Sequence, residues 1–310
     1  MKKTPKIVRT VQEHITEIKE GSKSISFSQL SQYVTCPYRW YRAYIKKEAP
    51  FVPSIHLIFG TAVHETIQEW LDKLYNVSVK DSELMDLNGT LLSKLKEQYK
   101  LSRDQYGQDF STKAELAEFY QDGIAILDWL RKNRKSYFPT KGTWLVGCEI
   151  PIKVYLTETF YYQGYIDCLL YDEINNEWKI IDFKTATVSW GAETKSDFVK
   201  ISQVLLYKHF LAEQFGIDID TISTEYMVLK RKINENAEYP AARRRVQEVV
   251  PASGKVNIKK AISLVESFRQ GALTETGEYQ DREYEACPSE KNCKWCIFQD
   301  CPFNIMSQKR

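Results

Sequence analysis

The apolar positions of the chain change their period along its length, and the change divides it. Up to about residue 140 they recur at helical spacing. Ser26-Phe-Ser-Gln29 reads as a capping box, followed by Leu30, Tyr33 and Val34 on one helix face. Pro37 interrupts that helix just after Cys36, and an aromatic-rich turn resumes to about Ile45. Residues 60–75 form the next expected helix, with Ala62, Val63, Ile67, Trp70 and Leu71 on one side. Two longer helices, 82–103 and 112–136, carry charge on their outer faces and read as a helical insertion. From Thr143 the residues become β-formers. Three runs, 143–156, 160–171 and 178–184, predict an antiparallel meander. A helix at 196–213, a strand at 222–231 and a helix at 255–270 follow.

The expected class is therefore α/β, with a core of helix, three-stranded meander, helix and strand. The expected divisions are a flexible N-terminal arm (1–24), N-terminal helices (25–80), the helical insertion (81–140), the core (141–272) and a cysteine-rich tail (273–310). The 310 residues suffice for one substantial core. No apolar run approaches the roughly 20 residues that span a bilayer. Residues 1–23 lack the apolar centre of a signal peptide, so the expectation is a cytoplasmic protein without membrane contact.

Charge alters this picture little. With 43 basic and 41 acidic residues the net charge is +2. Basic clusters stand at Arg39, Arg42, Lys46 and Lys47, at residues 131–135, at 230–232 and at 243–245. Tyr38, Trp40, Tyr41, Tyr44, Trp129 and Tyr239 lie among them. Such clusters can hold phosphates and stack on bases, or simply be solvated helix faces.

Two constellations carry chemistry. In Ile180-Ile181-Asp182-Phe183-Lys184-Thr185, Asp182 and Lys184 are two apart on an expected buried strand and so share a face. Burying both charges is costly unless a divalent cation joins them. The carboxylate then binds the ion, and the lysine orients a water and offsets charge on phosphorus. Gln163-Gly164-Tyr165-Ile166-Asp167 supplies a second carboxylate, and Gly164 would admit a close backbone or a DNA strand. Glu149 is a weaker candidate, better read as a bystander.

The second constellation is Cys287, Cys293, Cys296 and Cys301, four of seven cysteines within the last 24 residues. In a cytosolic chain such clustering points to metal rather than disulfides. Cys293-x-x-Cys296 lets two thiolates meet one centre, and Cys301 can fold back as a third. Cys148 and Cys168 lie in apolar strands and read as buried hydrophobes.

The first constellation resembles the PD-(D/E)xK nucleases, in particular their RecB-like branch. Phe59-Gly60-Thr61-Ala62-Val63-His64 matches that branch's upstream histidine, and Gln203-Val-Leu-Leu-Tyr207 its closing Gln-x-x-x-Tyr. The resemblance spans about residues 25–305. It implies a restriction-endonuclease-like core and hydrolysis of DNA phosphodiesters with Mg²⁺ or Mn²⁺. It also implies metal binding by His64, Asp167 and Asp182, water activation by Lys184, and contact or bracing by Gln203 and Tyr207. Relatives with iron–sulfur clusters take a fourth thiolate from far upstream. Cys36 matches it, implying a [4Fe–4S] cluster on Cys36, Cys293, Cys296 and Cys301. Four residues separate Cys296 from Cys301 where the family has about five, so Cys287 competes for the fourth place, and zinc on the four tail cysteines is the alternative.

The implied activity is exonuclease action on single-stranded DNA ends, as in recombination, repair, phage or CRISPR-adaptation proteins, whose partners are then candidates here. The competing readings are a catalytically silent DNA-binding assembly subunit and a zinc-stabilised nuclease acting on other nucleic acid.

Overall fold

A computed structural model describes residues 3–306. The remaining ends of the expected arm and tail, residues 1–2 and 307–310, lie outside the described residues. The long helices are α1 (Lys6–Gln12), α2 (Phe27–Thr35), α3 (Ile55–Asp72), α4 (Leu87–Tyr106), α5 (Lys113–Lys132), α6 (Phe198–Phe215) and α7 (Lys255–Ala272). The strands are β1 (Lys23–Ser26), β2 (Thr143–Gly147), β3 (Ile150–Tyr155), β4 (Phe160–Ile166), β5 (Cys168–Asp172), β6 (Glu177–Ala186), β7 (Ile222–Lys230) and β8 (Val246–Val249).

Five strands form the main sheet in the order β2-β5-β6-β7-β8, and β1-β4-β3 form a smaller one. At the centre, β6 and β7 run parallel from Trp178↔Ile222 to Ala186↔Lys230. A parallel pair needs a crossover, and α6 supplies it. Both central strands are apolar on both faces, as strands covered on each side must be. Trp178, Ile180, Tyr226 and Val228 enter the core beneath α6 and α7. The alternate residues Ile181, Phe183, Met227 and Leu229 enter a second core with Phe59, Val63 and Ile67 of α3 and residues of α4 and α5. The sheet is thus the wall between two hydrophobic layers.

The meander differs from its expected form. Each of the first two runs breaks in two: the first at Cys148 and Glu149, where Glu149 takes a left-handed φ of 54°, and the second at Asp167. The breaks let each run begin in one sheet and end in the other. Alternation within a run does not reveal such a corner.

The N-terminal segment is no loose arm. Val8 and Val11 are buried in the core, Gln12 Nε2 donates to the Val146 carbonyl at 2.9 Å, and β1 pairs in parallel with β4. Val8 and Val11, with Ile7 half-buried beside them, make this docking on a two-turn helix, too few for a periodic signal. The capping of α2 is as expected, with Ser26 Oγ accepting from Gln29 N at 3.4 Å. Helix α3 begins at Ile55, five residues before the expected start at Gly60.

Several basic clusters are already paired. Arg231 lies with its guanidinium 3.2 Å from the Phe119 ring centre and 2.9 Å from Asp122, and Lys232 reaches Asp122 at 3.0 Å and Glu118 at 2.8 Å. Arg131 pairs with Asp128 and Arg134 with Glu83. Trp40 is fully buried among Tyr33, Phe268 and Tyr284, so it packs the core and stacks on no base.

The Arg231–Asp122 pair ties the helical insertion to the end of β7, and both partners are more than nine-tenths buried. Removing one partner of a buried pair strands the other charge. Asp122→Ala is expected to cost about 3–5 kcal/mol in urea unfolding. Glu118→Ala, at the exposed side of the same network, should leave the unfolding midpoint nearly unchanged. Equal effects of the two would show that burial is not what gives the pair its weight.

Candidate active site

The register of the central sheet brings three segments close together. Asp182 and Lys184 lie on β6 and face the α6 side, by alternation from Ile180. Asp167 occupies the break between β4 and β5, and its Oδ2 accepts the Phe183 N–H at 2.8 Å. The Asp167 carboxylate thereby takes the place of a strand partner. His64 comes from α3 on the opposite side of the sheet. Its ring lies 5.8 Å from that of Phe183, and its Nδ1 stands 3.7 Å from Asp167 Oδ2. The corner at Asp167 is what lets residues from both faces meet.

Lys184 Nζ lies 2.6 Å from Asp182 Oδ2. The approach is a close ion pair of poor hydrogen-bond angle, and among the described residues Asp182 Oδ1 has no partner at all. Asp182 is only 1% exposed, so this carboxylate is desolvated with Lys184 as its main compensation. Three tyrosines, Tyr162, Tyr207 and Tyr226, lie in its electrostatic reach, and none donates to it. Tyr207 instead accepts from Gln203 Nε2 at 3.0 Å, one helical turn away on α6, and Tyr226 donates to the Lys200 carbonyl. His64 Nε2 is likewise buried and unpaired.

Electrostatics follow from this burial. Desolvation pushes the Asp182 carboxyl up to about 6, against the opposing pull of Lys184. Desolvation also raises Asp167 to about 6, with Lys184 and the Phe183 N–H working the other way. Burial and the charge of Lys184 lower His64 to about 4, so at neutral pH its imidazole is uncharged and offers a lone pair. Burial acts against the Lys184 cation, but Asp182 and Asp167 together hold it above the usual lysine range.

Two hard carboxylates and a neutral imidazole suit Mg²⁺ or Mn²⁺. The orphaned Oδ1 of Asp182 and the orphaned Nε2 of His64 are the atoms such an ion would satisfy. Among the described residues no three acidic, histidine or cysteine side chains form a ready-made coordination sphere. Lys184 and the Phe183 N–H hold the two carboxylates instead. The residue types suit the ion, and Lys184 stands against only one of the two Asp182 oxygens.

Glu149, read from the sequence as a bystander, lies in the same neighbourhood. It acts electrostatically on both His64 and Asp167, and Gln68 Nε2, one turn beyond His64 on α3, donates to its Oε1 at 2.7 Å. Its left-handed backbone was the missing signal, and no sequence pattern shows one in a non-glycine residue. Gly164 also has a different use from the expected one. A Cβ there would stand 2.6 Å from Tyr207 Cε1, so the glycine makes room for the Tyr207 ring rather than for DNA.

The cysteines converge elsewhere. Cys36, Cys287, Cys293, Cys296 and Cys301 all line one cavity. Cys36 sits in extended backbone before Pro37, and its sulfur accepts the Cys287 N–H at 3.5 Å. The tail is fastened to the same place: Asn292 Nδ2 donates to the Thr35 carbonyl, Tyr38 N donates to the Glu285 carbonyl, and Arg42 grips both oxygens of Asp300 at 3.2 and 2.9 Å. Arg42 therefore secures the tail and is not free for phosphate. Thiolates are the donors a metal centre of this kind takes, but among the described residues no three of these thiols stand as a ready-made metal site. Cys148 and Cys168 stand apart beside the active site, Cys168 fully buried and Cys148 partly so.

Comparison with known proteins matches residues 24–302 to the family model of the PD-(D/E)XK nuclease superfamily. No curated protein matches the chain. Among solved structures it is similar to a protein from Eubacterium rectale described as a candidate exonuclease. That chain shares 12% identity, with 93% of this chain and 90% of that one covered, at a TM-score of 0.48. It is also similar to the protein SSO0001, at 13% identity, 96% and 95% coverage and a TM-score of 0.38. No described helix is long and apolar enough to cross a membrane.

The raised carboxyls make a prediction for the metal-free protein. A carboxyl whose folded pKa exceeds its unfolded value stabilises the fold below about 4, and that stability is lost as pH rises to about 6. His64 acts oppositely between about 4 and 6.5, so the carboxyl effect is best isolated by difference. Asp182→Asn without metal should melt above wild type, with a gap that widens from pH 4 to 6 and is flat beyond. Added Mn²⁺ should raise the wild-type midpoint and leave the variant's unchanged. A gap independent of pH would show that Asp182 is not the strained group.

Proposed function

Because the chain belongs to the PD-(D/E)XK nuclease superfamily, we propose that it is a metal-dependent deoxyribonuclease of the RecB-like type acting on single-stranded DNA ends. Nucleases of this superfamily typically use Mg²⁺ or Mn²⁺. The observation that carries the reading is Asp182, a buried carboxylate with an unused oxygen, next to Lys184 and within reach of Asp167 and His64. A catalytically silent subunit would have no use for so costly an arrangement.

Asp182, Asp167 and His64 would hold the cation, with the Phe183 carbonyl beside them. When bound, the cation would polarise the scissile phosphate and lower the pKa of a coordinated water. Lys184, released from Asp182 but still on the same strand face, would orient the attacking water and offset the charge growing on the phosphoryl oxygens. Gln203 and Tyr207, locked to each other on α6, would brace the strand carrying Gly164 and keep Asp167 at its corner. Glu149, held by Gln68, would add negative potential on the His64 side and so favour cation entry.

We further propose that Cys36, Cys293, Cys296 and Cys301 hold a [4Fe–4S] cluster, with Cys287 in the same cavity as the competing fourth thiolate. The centre would join residue 36 to the tail and restrain the unfolded chain as a long-range cross-link does. Its role is structural, since the Cys36 segment and the tail are already zipped by the Arg42–Asp300 and Asn292–Thr35 contacts.

The test is cleavage of end-labelled single-stranded DNA by anaerobically purified protein, with duplex, closed-circle and RNA substrates alongside. Cleavage should need Mg²⁺ or Mn²⁺, spare circles, and fall about 100-fold or more in Lys184→Ala. Undiminished cleavage by that variant would remove Lys184 from the chemistry. No cleavage from folded, metal-filled protein would favour a binding subunit.

For the cysteines, iron and sulfide analysis should find about four of each per chain. Cys36→Ser should lose iron and melt lower, and Cys148→Ser should keep its iron. One zinc per chain with no sulfide would replace the cluster reading.

A further inference from the structure

The two basic runs between the end of β7 and the start of β8 have different surroundings. Arg231 and Lys232 are saturated by Glu118 and Asp122. Lys230, their neighbour, points the other way. It is only 2% exposed, and among the described residues no carboxylate lies within ion-pair distance of it. Its ammonium has three donors, and its one protein hydrogen bond is a long one to the Ala241 carbonyl at 3.4 Å. A desolvated cation with so little compensation is costly.

Lys230 opens into a cleft of about 430 Å³ lined also by Arg244, Tyr239, Ser189, Gln247 and Glu248. Gln247 is occupied by both backbone polar groups of Trp190. Glu248 is the cleft's one carboxylate, and it is exposed. Arg244 is exposed and without an ion-pair partner among the described residues, and Tyr239 is 75% exposed. Burial lowers the pKa of Lys230, and the cations Arg245 and Arg244 lower it further, so like charges crowd one another here. An anion would relieve that crowding.

The position of the cleft identifies the anion. Lys184 pairs with Val228 across the parallel strands, and Lys230 lies two residues further along β7. Alternation puts Lys184 and Lys230 on the same sheet face. Strand rise and spacing set their Cα atoms about 8 Å apart. That is about the reach of one nucleotide along a strand.

We propose that Lys230, Arg244 and Tyr239 form a phosphate-and-base subsite for the nucleotide flanking the one cleaved. Lys230 and Arg244 hold its phosphodiester, and the exposed Tyr239 ring stacks on the adjoining base. The proposal rests on the nuclease reading above and deepens it.

The experiment is binding of a fluorescent single-stranded oligonucleotide in chelator, where no cleavage occurs, followed by anisotropy over a range of salt. Each lost phosphate contact on a single strand lowers the slope of log affinity against log salt by about 0.7. Lys230→Met and Arg244→Ala are each expected to lower it by part of that amount, and the double variant by about the whole of it. Tyr239→Ala should weaken binding at every salt concentration with the slope unchanged. Lys80→Ala, at an exposed lysine just before the helical insertion, should match wild type. If Lys230→Met does not fold, the exposed Arg244 decides. Unchanged slopes in both cation variants of a protein that binds and cleaves would overturn the subsite and leave the nuclease reading intact. A wild-type protein that neither binds nor cleaves would overturn both.

Discussion

A buried carboxylate without hydrogen-bond donors governs this structure. Asp182 lies in the central strand of the main sheet, 1% exposed, and among the described residues Lys184 is its single charged neighbour at ion-pair distance. Holding it there needs a sheet apolar on both faces, so that the strand cannot turn the charge outward. The two cores beneath α6–α7 and beneath α3–α5 do this. The cost is strain between charge and solvent, expressed in carboxyls displaced to about 6. A desolvated carboxylate with so few partners is what a cation would satisfy, and the proposed nuclease reading rests on it.

The corners of the β-runs serve the same end. If the strand from Phe160 continued straight through Asp167, its carboxylate would alternate onto one face and could not bond the Phe183 N–H. The break turns Asp167 into the gap between sheets, where His64 from the far layer approaches it. The break at Glu149 similarly turns a carboxylate toward that histidine. Both turns interrupt strand pairing where chemistry needs a side chain re-aimed.

A second organising element is the closure of the chain's ends. The segment around Cys36 and the tail near Cys287 meet through hydrogen bonds, the Arg42–Asp300 fork and the packing of Tyr38 on Phe303. The tail also reaches the N-terminus of α6 through Lys291 and Asp197. Since α6 carries Gln203 and Tyr207, the clamp lies one helix away from two residues of the candidate site.

Much of the site was legible in the sequence because its residues occur at short, period-matched spacings. Asp182 and Lys184 share a face by strand alternation, and Gln203 and Tyr207 bond one another by helical spacing. The order of elements was legible for the same reason, since long apolar runs announce their period. What the sequence could not contain was the turn of a β-run from one sheet into another. Nor could it show which cations already have acids: Arg42, Arg231 and Lys232 look no different along the chain from Lys230 and Arg244. Those distinctions depend on partners more than 100 residues away, and only the packed structure chooses among them. Local periodicity thus determined the elements and the catalytic candidates, while tertiary packing decided which charges are spent on the fold and which remain for a ligand.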